Sequence, residues 1–309
     1  MASGTIEIDL SAAIVGLRDT SPLIVTTRGD GEGISGLPFG PFEPTRHRTL
    51  EIALRSWVDE QARLSLAYTE QLYTFADRGR HAEIGDAAPH TVSIGYLALA
   101  RPGDDERNVT WSNWYGFFPW EDWRGGRPAL LDDILGQLEE WCAREDGHAR
   151  SLRVRTAFGT AGAWDEERTL ERYELLYEAG LVAESWRDGR PAARRREGPG
   201  QLGRSMRFDH RRILATAISR LRGKLKYRPV IFQLMPPDFT LTELQTAAEA
   251  ISGRMLHKQN FRRLVEGARL VEATGAKRAV GQGRPAALFR FRREVLRERP
   301  SLGLRLGMR

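Results

Sequence analysis

The chain has 309 residues, 41% of them hydrophobic and 28% charged, with 47 Lys/Arg against 41 Asp/Glu. That length buries a core and accommodates two domains, no apolar run is long enough to span a bilayer, and the first residues lack the basic region and the small-residue cleavage site of a secretion signal. One cysteine, Cys142, excludes an internal disulfide and a cysteine-based zinc site, which makes the cytoplasm the expected compartment.

In chain order, "IEIDLSAAIVGL" (6–17) and "PLIVTT" (22–27) read as strands, with the polar, glycine-bearing "RGDGEGISG" after them. A helix opens near Thr49, followed by strands at "YTEQLYTF" (68–75) and "HTVSIGYLALA" (90–100). The aromatic run "WSNWYGFFPWEDW" (111–123) suits a core or a dimer interface better than a ligand cage. Leu131, Ile134, Leu135, Leu138 and Trp141 recur at helical spacing over 130–144. "SLRVRTAF" (151–158) alternates apolar and charged residues as a strand does, and "WDEERTLERYELLYEAGLV" (164–182) is a helix stopped at Gly180. "RDGRPAARRREGPGQLGRS" (187–205), with little to bury, reads as a flexible basic loop. A helix over 208–227 follows, with Asp209 as N-cap and Ile213, Ala217, Leu221 and Leu225 in one stripe. It is expected to connect two domains and to offer a face to a partner chain. The interleaving of strands and helices is an α/β pattern.

The net charge of +6 conceals a division. Residues 201–309 hold 24 Lys/Arg and 8 Asp/Glu, so an acidic body is joined to a basic tail, which points to a polyanion partner. Thr240 and Glu243 form a capping box that opens a helix running to Ile251, and Gly253 permits a sharp turn. In the helix that follows (257–268), Phe261, Leu264 and Val265 face inward while Lys258, Gln259, Arg262 and Arg263 face out. This is a helix-turn-helix, and Gln, Asn, Arg and Lys are the side chains that read base edges and phosphates. "ARLVEAT" and "AALFRF" are strands joined by the basic "GAKRAVGQGRP", a wing. The expected DNA contacts are Thr240, His257, Lys258, Gln259, Asn260, Arg262 and Arg263, with Lys277, Arg278 and Arg284 from the wing. Double-stranded operator DNA is the implied partner.

Upstream, "GLPFGPFEP" feeds "LRSWVDEQARL" (54–64), a loop and helix arranged like the Nudix box, G-x5-E-x7-R-E-U-x-E-E-x-G-U. Anchored on Arg55 the match is partial: Pro41 takes the first glycine position with Gly40 one place early, and His47 replaces the first Glu. Ser56 replaces the Glu after the Arg, Trp57 fills the bulky position, Asp59 and Glu60 keep the acidic pair, and Ala62 and Arg63 end the box. Residues 56 and 60 share one helical face, so the loss of a carboxylate at Ser56 weakens any divalent cation there. No catalytic and no metal-binding residue is assigned.

Box and tail together, with "FTLTELQ", "NFRRL" and "GRPAALFRF", resemble the NrtR family of Nudix-related transcriptional regulators over nearly all of residues 5–292. "HRTLEIALRSWVDEQ", "EQLYTFADRGR" and "LERYELLYEAGLV" resemble its NadQ-like members. The resemblance implies a Nudix-like sandwich (1–205), a connecting helix (206–228) and a C-terminal winged helix-turn-helix domain (229–309). It also implies a homodimer repressing NAD-metabolism genes, with no required cofactor, and a nucleotide effector: ADP-ribose for NrtR proteins, NAD or ATP for NadQ-like ones. Arg55, Asp59 and Glu60 would line the former diphosphate cleft. Tyr73, Phe75 and Arg78 would stack on a base and pair with phosphate, and Arg28 would end a strand leading into the same cleft. The alternative is a bifunctional Nudix pyrophosphohydrolase that also binds DNA.

Overall fold

A computed structural model describes residues 6–27, 34–77, 90–103, 110–144, 147–279 and 285–294. The first strands are β1 (Ile6–Arg18), β2 (Ser21–Thr26) and β3 (Phe39–Pro41), followed by helix α1 (Leu50–Ala62) and strands β4 (Tyr68–Phe75), β5 (His90–Leu99) and β6 (Thr110–Asn113). They form one mixed sheet in the order β4-β5-β1-β2-β6, with β3 also on β1. β1 and β5 run parallel from Ile6↔His90 to Val15↔Leu99, and the other pairs are antiparallel. Alternation along each strand creates two apolar faces. Leu10, Ala12, Ile14, Ile94, Tyr96 and Ala98 turn toward Ala53, Leu54, Val58 and Ala62 of α1. Ala13, Val15, Ile24, Leu97 and Leu99 turn the opposite way, into a second and larger core.

That second core is filled by helices: α2 (Leu130–Cys142), α3 (Gly147–Ala157), α4 (Thr169–Glu178), the short α5 (Ala183–Arg187) and α6 (Pro191–Arg194), and α7 (His210–Tyr227). The stretch 151–158, expected to be a strand, lies mostly in α3. Its alternating charges are outvoted by Val154, Ala157 and Phe158, which are buried at helical spacing. The aromatic run forms core, with Trp114, Phe117, Phe118 and Trp120 fully enclosed.

The basic segment 187–205 is not a loose loop. Gln201 bridges Val182, Ala193 is buried, and Arg187 donates to the carbonyls of Met206 (3.0 Å) and Phe208 (2.7 Å). Gly200 lies so close to the Leu181 carbonyl that a Cβ would sit 2.0 Å from its oxygen, so glycine here serves close packing rather than flexibility. The expectation for α7 is corrected in two ways. Asp209 occupies the N-cap position as expected, but it makes no side-chain cap to the helix, its carboxylate accepting instead from Arg212 at 3.2 Å. Ile213, Ala217, Leu221 and Leu225 are buried against this chain's own sheet, α4 and the next helix, so the stripe is core and not a surface for a partner.

The C-terminal elements are α8 (Leu241–Ser252), α9 (Lys258–Gly267), β7 (Val271–Arg278) and β8 (Ala286–Phe291). The capping box is present in full: Thr240 Oγ1 accepts from the Glu243 amide at 3.1 Å, and the Glu243 carboxylate accepts from the Thr240 amide at 2.7 Å. Gly253 ends α8 in the left-handed conformation, φ 74°. Phe239 exchanges two backbone hydrogen bonds with Phe289, adding a short third strand beside the β7–β8 hairpin. This is a winged helix.

The two bodies meet across a buried polar seam. The carbonyls at the end of α8 have no helical donor of their own. Tyr115 donates to Ala250 O (2.8 Å), Arg222 to Ile251 O (2.9 Å) and the Trp123 amide to Gly253 O (2.8 Å). Arg222 is itself held by Glu121, which also takes two hydrogen bonds from Arg172, and all three side chains are at most 1% exposed.

Candidate functional site

Helix α9 is presented outward by the frame just described. Phe261 and Val265 are buried and anchor one side. Around the rest, His257, Lys258, Gln259, Asn260, Arg262 and Arg263 are all exposed, as the sequence pattern required. Arg263 donates to Asn260 Oδ1 at 3.3 Å, one turn back, which aligns an amide and a guanidinium along the same face. His257 occupies the N-cap position without capping through its side chain, leaving the first amides of α9 beside an exposed imidazole. Arg254, in the turn and half-exposed, adds a cation that the helical pattern did not reveal, because a turn residue has no periodicity to betray it. It is paired with Glu166 at 3.3 Å.

Thr240 does not belong to this surface. It is 4% exposed and its hydroxyl is engaged in the capping box, so its role is to start α8. In the wing, Lys277 and Arg278 lie within β7, which extends four residues beyond the expected strand. Lys277 is exposed, whereas Arg278 reaches back to Glu243 (2.9 Å) and the Asp238 carbonyl (3.1 Å) and ties the hairpin to the start of α8. Arg284 lies outside the described residues.

The loop-and-helix motif near α1 keeps its shape. Thr49 caps the helix by accepting from the Ile52 amide at 3.2 Å. Trp57 donates to Pro41 O at 3.0 Å and lies over Gly40, where any Cβ would strike the indole at 2.3 Å. Gln61 exchanges hydrogen bonds with both backbone groups of Phe39. His47, in place of the first carboxylate, is buried and packs edge-on against Trp57.

The polar residues of the motif do not converge on one point. Arg55 pairs with Glu51 at 3.0 Å and reaches the Leu66 carbonyl (3.3 Å) and Thr69 (3.4 Å), pinning α1 to β4. Ser56 donates its hydroxyl to Ile52 O at 3.0 Å, inside its own helix. Asp59 and Glu60 are exposed. Among the described residues no group of three or more His, Cys, Asp or Glu stands ready to hold a metal ion, and this donor set does not fit a divalent cation.

Tyr73 and Phe75, expected together in the cleft, do stay together, with ring centroids 5.4 Å apart, but Phe75 lies away from α1. The β4–β5 register shifts between Gln71 and Thr74, a bulge that reverses the parity of the strand. Phe75 therefore turns into the second core, 2% exposed and under the Arg212 guanidinium, on the sheet face opposite α1. Tyr73 is 62% exposed, touching Phe75 edge-on. Arg28 and Arg78 lie outside the described residues.

Residues 231–291 match the family described as the NrtR DNA-binding winged helix domain. A stretch of 84 residues, 27% of this chain, is 45% identical to the ADPR-responsive transcriptional repressor NtrR of Acinetobacter baylyi, and the match spans only 33% of that relative. Across 92% of this chain, the fold resembles NrtR of Shewanella oneidensis solved with a 27-mer DNA, at 20% identity, 93% coverage of that chain and a TM-score of 0.54. A MutT/Nudix family protein from Enterococcus faecalis is similar over 94% of this chain and 89% of its own, at 16% identity and a TM-score of 0.52. At such identities the two structures show a shared fold: a Nudix-like sheet domain followed by a winged helix.

Proposed function

We propose that this chain, whose residues 231–291 match the NrtR DNA-binding winged helix domain and whose fold resembles that of NrtR, is a nucleotide-responsive transcriptional repressor of NAD-metabolism genes. The observation that carries the proposal is the outward face of α9. Six exposed polar or cationic residues, His257 to Asn260 with Arg262 and Arg263, stand on a helix whose inner side is locked by Phe261 and Val265. Side chains of these types recognise base edges and phosphates in the major groove. Lys277 on the adjacent hairpin adds a backbone contact, and Arg284 a second one. A palindromic operator read by a homodimer is the geometry winged helices commonly use, with readers about 34–36 Å apart.

The Nudix-like domain is proposed as the sensor. The curated relative responds to ADPR, so ADP-ribose is the first effector to test, with NAD and ATP beside it. The α1 surface, with Arg55, Asp59 and Glu60, is its proposed seat. Hydrolysis is not proposed, because Ser56 carries no charge and its hydroxyl is returned to the helix backbone. In domain terms the sensing body includes α7, whose apolar side chains complete its core, and the DNA-binding unit begins at about residue 229.

The test is an anisotropy titration of the full chain against operator DNA recovered from sheared genomic fragments, with and without millimolar ADP-ribose, NAD or ATP. A coupling of about 1–3 kcal/mol between one nucleotide and the operator is expected. Failure to select any sequence over bulk DNA overturns the repressor reading. Selection with no response to any nucleotide overturns the sensor.

A further inference from the structure

The arginine-rich segment after α5 belongs neither to the DNA-binding face nor to the α1 surface, yet it is firmly packed. Residues 195–202 line an open pocket of about 630 Å³ beside the end of α2. That volume lies in the range of small-molecule sites, roughly 300–1,000 Å³. Its apolar lining consists of Trp141, 9% exposed and with the Arg150 guanidinium 4.5 Å from its ring centroid, the buried Ala179 and Leu181, and the half-buried Ala192 and Leu202. Arg144, just after α2, and Arg195 and Arg196 also line it. Arg196 is tied to Gln137 across the opening. Arg144 and Arg195 are exposed, and neither is engaged with a carboxylate among the described residues.

Two carboxylates, Glu140 and Glu197, also line the opening. A bare polyanion would be repelled by them. A molecule that joins an aromatic ring, hydroxyl or amino donors and a phosphate group satisfies every part at once. The ring lies against the apolar lining, where Ala192 and Leu202 are part-exposed, the donors meet the carboxylates, and the phosphates meet the guanidinium groups, which are well suited to phosphate oxygens. We propose that this cavity is a nucleotide site separate from the α1 surface. The proposal stands apart from the assignment of the sensor, since it is decided without DNA.

The experiment is calorimetric titration of the full-length chain with ATP, with inorganic triphosphate as the control ligand. The variants are Arg144→Glu/Arg195→Glu and, as a charge-reversal control on an exposed loop elsewhere, Arg46→Glu. Wild type and Arg46→Glu should bind ATP alike, the double variant at least tenfold more weakly, and triphosphate at least tenfold more weakly than ATP. ATP should also slow amide hydrogen exchange within 195–202 in the wild-type protein, a readout that needs no variant to fold. The proposal is overturned by absence of ATP binding, by binding of the double variant equal to wild type, or by ATP binding that leaves exchange in 195–202 unchanged. Triphosphate binding as tight as ATP also overturns it, since the opening would then be a simple polyanion patch.

Discussion

Arginine serves opposite purposes in two regions of this molecule. In the seam and the helical core, Arg172, Arg211 and Arg222 are at most 1% exposed, and each directs several N–H groups at a carboxylate and at backbone carbonyls. On α9, Arg262 and Arg263 face solvent. A buried guanidinium is tolerable only when almost all its donors find acceptors, and it then fixes irregular segments that have no ladder of their own. An exposed one leaves folding nearly untouched and is available to another molecule. The same residue type is therefore structural or functional according to where its donors are directed.

The comparison breaks first, and most severely, at Glu121. Glu121→Gln leaves the Arg172 and Arg222 guanidinium groups buried without a counter-charge, which should cost about 3–5 kcal/mol. Urea unfolding of variant and wild type measures it, and a loss under about 1 kcal/mol would mean that the seam's charge is irrelevant. The effect has a pH signature. Burial alone pushes the Glu121 carboxyl up, but Arg172 and then Arg222 more than reverse this and hold it below the ordinary range. With the native value depressed, the stabilisation is complete above the unfolded value of about 4.3 and disappears as pH falls through the native one. The gap between wild type and Glu121→Gln should thus be widest near neutrality and narrow below about pH 4.

Next in size is the exposed set. Arg262→Ala or Arg263→Ala should weaken operator binding by about 1–3 kcal/mol where the side chain reads a base, with an unchanged melting temperature. If melting falls together with affinity, the α9 arginines are structural after all and the contrast with the seam collapses. Lys277→Ala should act more gently, weakening operator and random DNA alike and reducing the slope of log affinity against log salt by about 1. A preserved slope would remove the wing from the phosphate backbone.

What was legible in the sequence follows the same division. The winged helix could be read because its signals are local: a capping box at Thr240 and Glu243, a positive-φ glycine at 253, and an exposed polar face on α9. The α1 motif was legible for the same reason. The seam was not, because nothing near Arg172 or Arg222 in sequence announces that Glu121 lies between them. Phe75 was misplaced because a bulge, invisible in composition, flips strand parity. Segment 187–205 looked unstructured because its order comes from distant partners, Val182, Phe208 and the Leu181 carbonyl. Composition reports burial poorly where glycine and arginine take the place of apolar side chains.

A small stability effect is expected at Arg55, which sits between the two uses of arginine. It is part-exposed (44%), it bridges Glu51, Leu66 O and Thr69, and a surface pair of this kind contributes at most about 1 kcal/mol. Arg55→Ala should therefore unfold within about 1 kcal/mol of wild type. If the α1 surface is the sensor, the same substitution should nonetheless abolish the nucleotide response at the operator, because a ligand shifts an equilibrium only by its differential affinity for the two states. Arg55 would supply the phosphate contact on which that difference depends. Arg144→Glu/Arg195→Glu provides the opposing case in the same titration. Response lost in Arg55→Ala and kept in the double variant assigns sensing to the α1 surface; the reverse pattern assigns it to the cavity beside α2. A melting loss of several kcal/mol for Arg55→Ala would instead place Arg55 with the buried arginines, as a strut between α1 and β4.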